Sequence, residues 1–250
     1  MRTIAIGDIH GCVRALSTIL DRVPLDRDDL VVFLGDYIDR GPDTRGVIDQ
    51  ILKLCDTHQV ITLRGNHEAM LLESLRGGPV ESFWIGQCGG NRTLASYGGG
   101  LQEIPAAHLQ FFEQCRRFHE TDTHLFVHAN YGADEPLDEQ PDEVLLWQHL
   151  SWSVPERHQS GKQAVVGHTP QRSGKVLDLG HLRCIDTACF AGGWLTALDV
   201  MSGRYWQANE QGAFRECTEL EDLPPVDEGP PTDEGPPVDH RQPPASAGAE

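Results

Sequence analysis

Residues 7–11 read Gly-Asp-Ile-His-Gly and directly follow the short apolar run Thr3-Ile4-Ala5-Ile6. Side chains two apart on an extended chain point the same way, so Asp8 and His10 can aim at one point just past a strand end. A carboxylate and an imidazole together suit a divalent ion such as manganese, iron or zinc. Alone, a glycine-flanked Asp and His are ordinary turn residues. The same station recurs, however. The apolar run at 30–34 leads into Gly-Asp-Tyr-Ile-Asp-Arg-Gly, residues 35–41, and the run at 60–63 leads into Arg-Gly-Asn-His-Glu, residues 64–68. The run at 124–127 is followed by His128-Ala129-Asn130, and the run at 163–166 by Gly167-His168-Thr169-Pro170. Five expected strands thus each deliver metal-capable side chains at their carboxyl ends, where open α/β sheets place their sites.

The elements that must position these residues alternate along the first two thirds of the chain. Strands are expected at 3–6, 30–34, 60–63, 124–127 and 163–166, and helices near 12–21, 43–55, 66–76, 106–116 and 142–150. In the second helix Val47, Ile48, Ile51, Leu52 and Cys55 form one apolar stripe, with Asp43 placed to cap its start. Strands at 181–185, 194–200 and 204–208 follow, the last two joined across Ser202-Gly203 as a hairpin. Alternation followed by hairpins implies sheets covered by helices on their outer faces.

The chain has 250 residues, 39% hydrophobic and 23% charged, with a formal net charge of −18. That balance is globular, and the negative charge argues against a nucleic-acid partner. A phosphate-binding site in such a chain must supply its own cations. No run approaches the roughly 18 apolar residues of a membrane span, and the N-terminus lacks a signal-peptide layout, so a cytoplasmic protein is expected. The seven cysteines form no Cys-x-x-Cys pair, which suggests neither a disulfide framework nor a zinc knuckle. From Leu223 the composition changes: Pro-Pro-Val-Asp-Glu-Gly and Pro-Pro-Thr-Asp-Glu-Gly repeat, and half of the sixteen prolines fall there. A folded unit over 1–222 and a disordered proline-rich acidic tail over 223–250 are therefore expected.

The segments Gly-Asp-Ile-His-Gly, Gly-Asp-Tyr-Ile-Asp-Arg-Gly and Arg-Gly-Asn-His-Glu resemble the phosphoprotein phosphatase family of the metallophosphoesterase superfamily, in its compact bacterial and phage form. The later Val-Val-Gly-His-Thr-Pro and residues 185–198 extend the resemblance over roughly 2–200. It implies a four-layer α/β/β/α sandwich of two mixed sheets flanked by helices, with a dinuclear metal site at the strand ends. It further implies that Asp8 and His10 hold one ion, that Asn66, His128 and His168 hold the other, and that Asp36 bridges the two. Manganese is the expected metal, with iron or zinc as alternatives. His67, oriented by Asp39, would protonate the leaving alkoxide while a metal-bridging hydroxide attacks phosphorus directly. Arg40 and Arg64 would grip the phosphate. Glu68 is assigned a simpler part, favouring the N-terminal turn of the helix that Asn66 opens.

Two positions depart from the family pattern. After Leu-Leu-Trp, where relatives often carry a phosphate-binding arginine, this chain has His149, a cation only while protonated; the simpler reading packs it beside Trp147 on a helix. The aromatic before the Gly-Gly turn is Phe190 rather than tyrosine. The resulting expectation is a monomeric phosphatase acting on phosphoserine or phosphothreonine in a protein or peptide substrate. Symmetrical hydrolysis of diadenosine tetraphosphate, or broad phosphomonoester hydrolysis, is the alternative.

Overall fold

The structure, a computed structural model, describes residues 2–217. The acidic, proline-rich segment and the expected boundary at 222 lie outside the described residues. The alternating pattern forms β1 (Thr3–Ile6), α1 (Val13–Arg22), β2 (Leu30–Phe33), α2 (Thr44–Cys55), β3 (Gln59–Thr62) and α3 (Asn66–Leu75). Two short helices, α4 (Glu81–Gln87) and α5 (Gly90–Ser96), precede α6 (Ala106–Gln114). The remaining strands are β4 (Phe118–Glu120), β5 (His124–Val127), β6 (Gln163–Val166), β7 (Leu177–Asp178), β8 (Leu182–Cys184), β9 (Asp186–Thr187), β10 (Trp194–Asp199), β11 (Tyr205–Ala208) and β12 (Phe214–Cys217).

Two mixed sheets result. One runs β12-β11-β10-β1-β2-β3, with β9 beside β10; the other runs β4-β5-β6-β8-β7. The central pairs β1–β2, β2–β3 and β5–β6 are parallel. Their carboxyl ends carry residues 7–11, 35–41, 64–68, 128–130 and 167–170, the five expected stations.

Alternation along the strands divides the core. Ala5, Val32, Leu34, Phe126, Val165 and Leu198 fill the space between the sheets. On the other face of the first sheet Ile4, Ile6, Val31 and Phe33 pack against the apolar stripes of α1 and α2, which include Leu16, Ile19, Val47 and Ile51. Buried strand residues on both faces explain why these runs read as continuous apolar stretches. Asp43 caps α2 as expected, its Oδ1 accepting from Gly46 N at 2.8 Å. The outer face of the second sheet is covered by Leu137, Leu145, Leu146 and Leu150. These come from an irregular segment and not from the helix expected at 142–150. There the structure holds one wide π-type turn, Glu143–Trp147. Its chain leaves the helical region at Gln148 (ψ 112°), so that His149 turns inward toward the strand ends.

Candidate dinuclear metal site

The five loops converge, and the backbone there is unusual. Among the described residues the non-glycine positions with positive φ are His10 (46°), Asp36 (52°), Asp39 (72°), Arg40 (64°), His168 (62°) and Ala188 (57°). All but the last are candidate site residues. Left-handed backbone costs a side-chain-bearing residue about 1–3 kcal/mol, so the surroundings must over-determine it. They do. Asp36 O accepts from Ile9 N at 3.0 Å and His10 N at 2.8 Å, and Tyr37 O accepts from Gly11 N at 2.8 Å, zipping the first loop to the second. Glycine is required where backbone meets carboxylate. A Cβ on Gly65 would lie 2.0 Å from Asp36 Oδ1, and one on Gly167 would lie 2.1 Å from Asp8 Oδ1.

Three imidazoles are oriented alike. His10 Nδ1 lies 2.9 Å from Ile38 O, His128 Nδ1 2.9 Å from Leu34 O, and His168 Nε2 3.1 Å from Trp147 O. A carbonyl oxygen can only accept, so each of these nitrogens carries a proton. In a neutral ring the other nitrogen then presents a lone pair. For His128 that nitrogen, Nε2, faces Asn66 Oδ1 at 3.2 Å and Asp36 Oδ1 at 3.5 Å. For His10, Nε2 faces Asp36 Oδ2 at 3.4 Å. Acceptors converging on acceptors call for a cation between them. A backbone carbonyl behind each ring is the arrangement that commonly orients metal-ligating histidines.

Two groups of potential ligand atoms meet the same requirement, His10–Asp36–His67 and Asp36–His128–His168; within each the atoms lie within 4.8 Å of one another. Asp36 belongs to both, as a bridging carboxylate must. Asp8 falls in neither group. Its Oδ2 accepts from His168 N at 3.0 Å, while its Oδ1 is buried without a hydrogen-bond partner, as is Asn66 Nδ2.

The electrostatics agree. Burial, with Asp186 and Asp36 nearby, holds the Asp8 carboxyl well above the ordinary range, the mark of a charge without compensation. Burial and the Arg40 guanidinium push His10 well down, toward the neutral form that can act as a ligand. For Asp36 burial acts upward, but the surrounding His128, His67, His10 and His168 outweigh it and hold its carboxyl below the usual range. The residues therefore fit two divalent ions.

His67 sits at the edge of this cluster. Its Nδ1 lies 2.6 Å from Asp39 Oδ2, leaving Nε2 3.9 Å from Asp36 Oδ2. The Asp39 carboxylate is completely buried and accepts two further bonds, from Trp84 Nε1 at 2.7 Å and Thr93 Oγ1 at 2.6 Å. Asp39 N in turn donates to Thr93 Oγ1 at 2.9 Å. Sequence reasoning missed Trp84 and Thr93, because α4 and α5 are seven residues each and glycine-punctuated, with no stripe to reveal them.

Glu68 does more than the helix-start role expected of it. Its Oε2 accepts from Asp36 N and Gly65 N, and its Oε1 from Tyr37 N, all at 2.9 Å. The side chain thus stitches the left-handed Asp36 turn to the start of α3. Burial and the nearby Asp36 push Glu68 up to about 8. Glu68→Gln turns one acceptor oxygen into a donor against backbone N–H groups. At about 1–3 kcal/mol per stranded buried donor, a loss of about 2–4 kcal/mol is expected in denaturant unfolding of the metal-loaded protein. A midpoint within experimental error of the unmodified protein would contradict it.

The three candidate phosphate contacts are differently placed. Arg40 Nη1 lies 3.1 Å from His10 Nε2, a cation set against that ring's lone pair, and its guanidinium lies 4.4 Å over the Phe190 ring. Phe190 also packs edge-on against His10, with centroids 4.9 Å apart. Arg64 donates from Nη2 to Glu113 O at 3.2 Å, and its Nε is buried without a hydrogen-bond partner. His149 is not on a helix beside Trp147. It is buried in the loop beyond, its ring 5.0 Å from that of His168 and 5.7 Å from that of Trp152. His124, which the sequence leaves outside the site, lies at the opposite end of β5 from His128.

Comparison with known proteins agrees with this geometry. Residues 1–198 match the family model for calcineurin-like phosphoesterases. Serine/threonine-protein phosphatase 1 of Salmonella typhimurium is 31% identical over 199 residues, covering 76% of this chain and 88% of the relative. An asymmetrical bis(5'-nucleosyl)-tetraphosphatase, PrpE of Oceanobacillus iheyensis, is 25% identical over 228 residues, covering 79% and 88%. In the solved structure of a putative diadenosine tetraphosphatase the same fold recurs, with a TM-score of 0.60 at 21% identity over 86% of this chain and 92% of that one.

Proposed function

The chain belongs to the calcineurin-like phosphoesterase family, and we propose that within it the protein is a phosphoprotein phosphatase, releasing phosphate from phosphoserine and phosphothreonine side chains. Asp8, His10 and Asp36 would hold one divalent ion, and Asp36, Asn66, His128 and His168 a second, manganese in this reading. When bound, such ions polarise phosphoryl oxygens and lower the pKa of a coordinated water toward neutrality.

The chain's own residues supply the rest. Arg40 and Arg64 offer forked donors to the phosphate oxygens, local positive charge in a chain of net charge −18. His149, whose ring lies beside that of His168, would add a further contact in this reading. Asp39 fixes the His67 tautomer by accepting from Nδ1, so the proton available to a leaving group is the one on Nε2. The carboxylate also stabilises the imidazolium that holds this proton, and Trp84 and Thr93 keep the carboxylate still.

The observation that carries the reading is this buried Asp39–His67 pair at the edge of the ligand cluster. A serine or threonine alkoxide is a poor leaving group and needs a proton as it departs. A phosphate leaving from a dinucleotide polyphosphate needs far less help, and a well-placed acid is worth about 10²–10⁴-fold only where protonation matters. The name of the Salmonella relative supports the same choice. The second reading, dinucleoside tetraphosphate hydrolysis, rests on the names of relatives such as the Oceanobacillus protein. A cytoplasmic monomer is proposed; among the described residues no helix is long and apolar enough to cross a membrane.

A panel with added Mn²⁺ separates these activities: a phosphothreonine peptide, a phosphotyrosine peptide, p-nitrophenyl phosphate and diadenosine tetraphosphate. The phosphothreonine peptide is expected to give a higher kcat/KM than the dinucleotide. Faster turnover of diadenosine tetraphosphate than of any phosphopeptide would replace this reading with the second.

A further inference from the structure

A tryptophan, Trp152, stands in solvent within two ring contacts of the ligand cluster. It is 44% exposed, and so is Val154 two residues on. Large apolar side chains singly at a surface need no explanation, but this pair stands on a loop that is pinned throughout. Asn130 Nδ2 donates to Ser153 O at 2.8 Å, Tyr131 Oη to Glu156 O at 3.1 Å, and His181 Nε2 to Pro155 O at 2.8 Å. Leu150 N donates to Thr169 Oγ1 at 3.0 Å, tying the start of the loop to the strand end that carries His168. These bonds hold the backbone on both sides of Trp152 in place before anything binds. Preorganisation of this kind lowers the cost of recognition.

The indole is also at a defined reach from the chemistry. Its ring lies 5.7 Å from that of His149, and His149 lies 5.0 Å from His168, a candidate ligand. An extended peptide advances about 3.3–3.6 Å per residue. A side chain two or three residues from a phosphorylated residue held at the cluster therefore comes within reach of Trp152, with Val154 two residues further along the same loop. A net charge of −18 disfavours acidic sequence around the phosphate, and Trp152 and Val154 offer apolar surface. We infer that Trp152 and Val154 form a subsite for one apolar side chain lying two or three residues from the phosphorylated residue of a peptide substrate. This inference rests on the phosphoprotein phosphatase reading above.

Phosphothreonine peptides test it, with a single leucine walked through the four positions on each side of the phosphothreonine in a serine–glycine background, each assayed with Mn²⁺. Half-burying a leucine side chain is worth about tenfold. The unmodified protein should therefore prefer leucine at the second or third position by about tenfold in kcat/KM, through KM. Trp152→Ala should abolish the preference, Trp152→Phe should keep most of it, and Val154→Ala should weaken it. None of the three should change turnover of p-nitrophenyl phosphate, which has no flanking residue. A flat leucine scan in the unmodified protein would overturn the subsite while leaving phosphopeptide hydrolysis standing. Equal losses on p-nitrophenyl phosphate and on every peptide in Trp152→Ala would overturn it too, reducing the indole to a support for His149. A rise in KM for diadenosine tetraphosphate in Trp152→Ala, with no effect on peptides, would give the indole to a nucleobase instead. Hydrolysis of p-nitrophenyl phosphate with no peptide cleaved would overturn both this inference and the reading beneath it.

Discussion

Asp36→Asn is expected to lower kcat/KM about 10³-fold, about 4 kcal/mol of transition-state stabilisation, while the protein remains folded. The two halves of that expectation have separate causes. Asp36 is shared by both groups of potential ligands, its Oδ2 facing His10 Nε2 and its Oδ1 facing His128 Nε2. Removing its charge weakens the hold on both ions at once. The fold is spared because an amide nitrogen can donate to a neutral imidazole nitrogen where a carboxylate oxygen only faces it. The backbone bonds that set the left-handed turn, from Ile9 N and His10 N to Asp36 O, do not involve the side chain. Metal content should fall below two ions per chain, and thermal unfolding in the presence of chelator should be no lower than in the unmodified protein. An active Asp36→Asn enzyme with two ions would remove Asp36 from the bridging position.

His67→Ala should lower kcat on a phosphothreonine peptide by about 10²–10⁴-fold with KM nearly unchanged, since protonation of the leaving oxygen helps only in the transition state. The loss should be much smaller for p-nitrophenyl phosphate, whose leaving group is already stable as an anion. His67 Nε2 lies close enough to Asp36 to be counted with the first ligand group, so metal content must be measured on the same variant. Unchanged metal content with a leaving-group-dependent loss makes His67 the acid. Equal losses on both substrates, or loss of an ion, would make it a ligand. Asp39→Asn should be worse for the fold, because Asp39 accepts from His67, Trp84 and Thr93 at once and an amide must turn its NH₂ toward one of these donors.

What could be read from the residues alone was decided by local rules. Strand ends followed by Gly-Asp, Gly-Asn or Gly-His are visible because the strands are short and mostly apolar, and because glycine is needed where backbone touches carboxylate, as at Gly65 and Gly167. The strands β1, β2 and β3 and the hairpin of β10 with β11 were legible in the same way; their order within the sheet was not. The support of Asp39 did not, since Trp84 and Thr93 lie more than forty residues away on helices too short to show a period. Glu68 looked like a helix-start residue because sequence shows its place on α3 but not the Asp36 turn packed above it. His149 was misplaced for a related reason: its neighbours look helical in composition, while the turn ends at Trp147, whose carbonyl meets His168 Nε2 in a contact the local pattern does not show.

The central claim is that Asp36, with Asp8, His10, Asn66, His128 and His168, holds two divalent ions on which phosphomonoester hydrolysis depends. Metal analysis of the active protein, followed by exhaustive chelation and stepwise return of Mn²⁺, measures it directly. Two ions per chain are expected, with activity lost on chelation and restored in full as the second equivalent is added. Full phosphatase activity with one ion per chain, or with none, would contradict it.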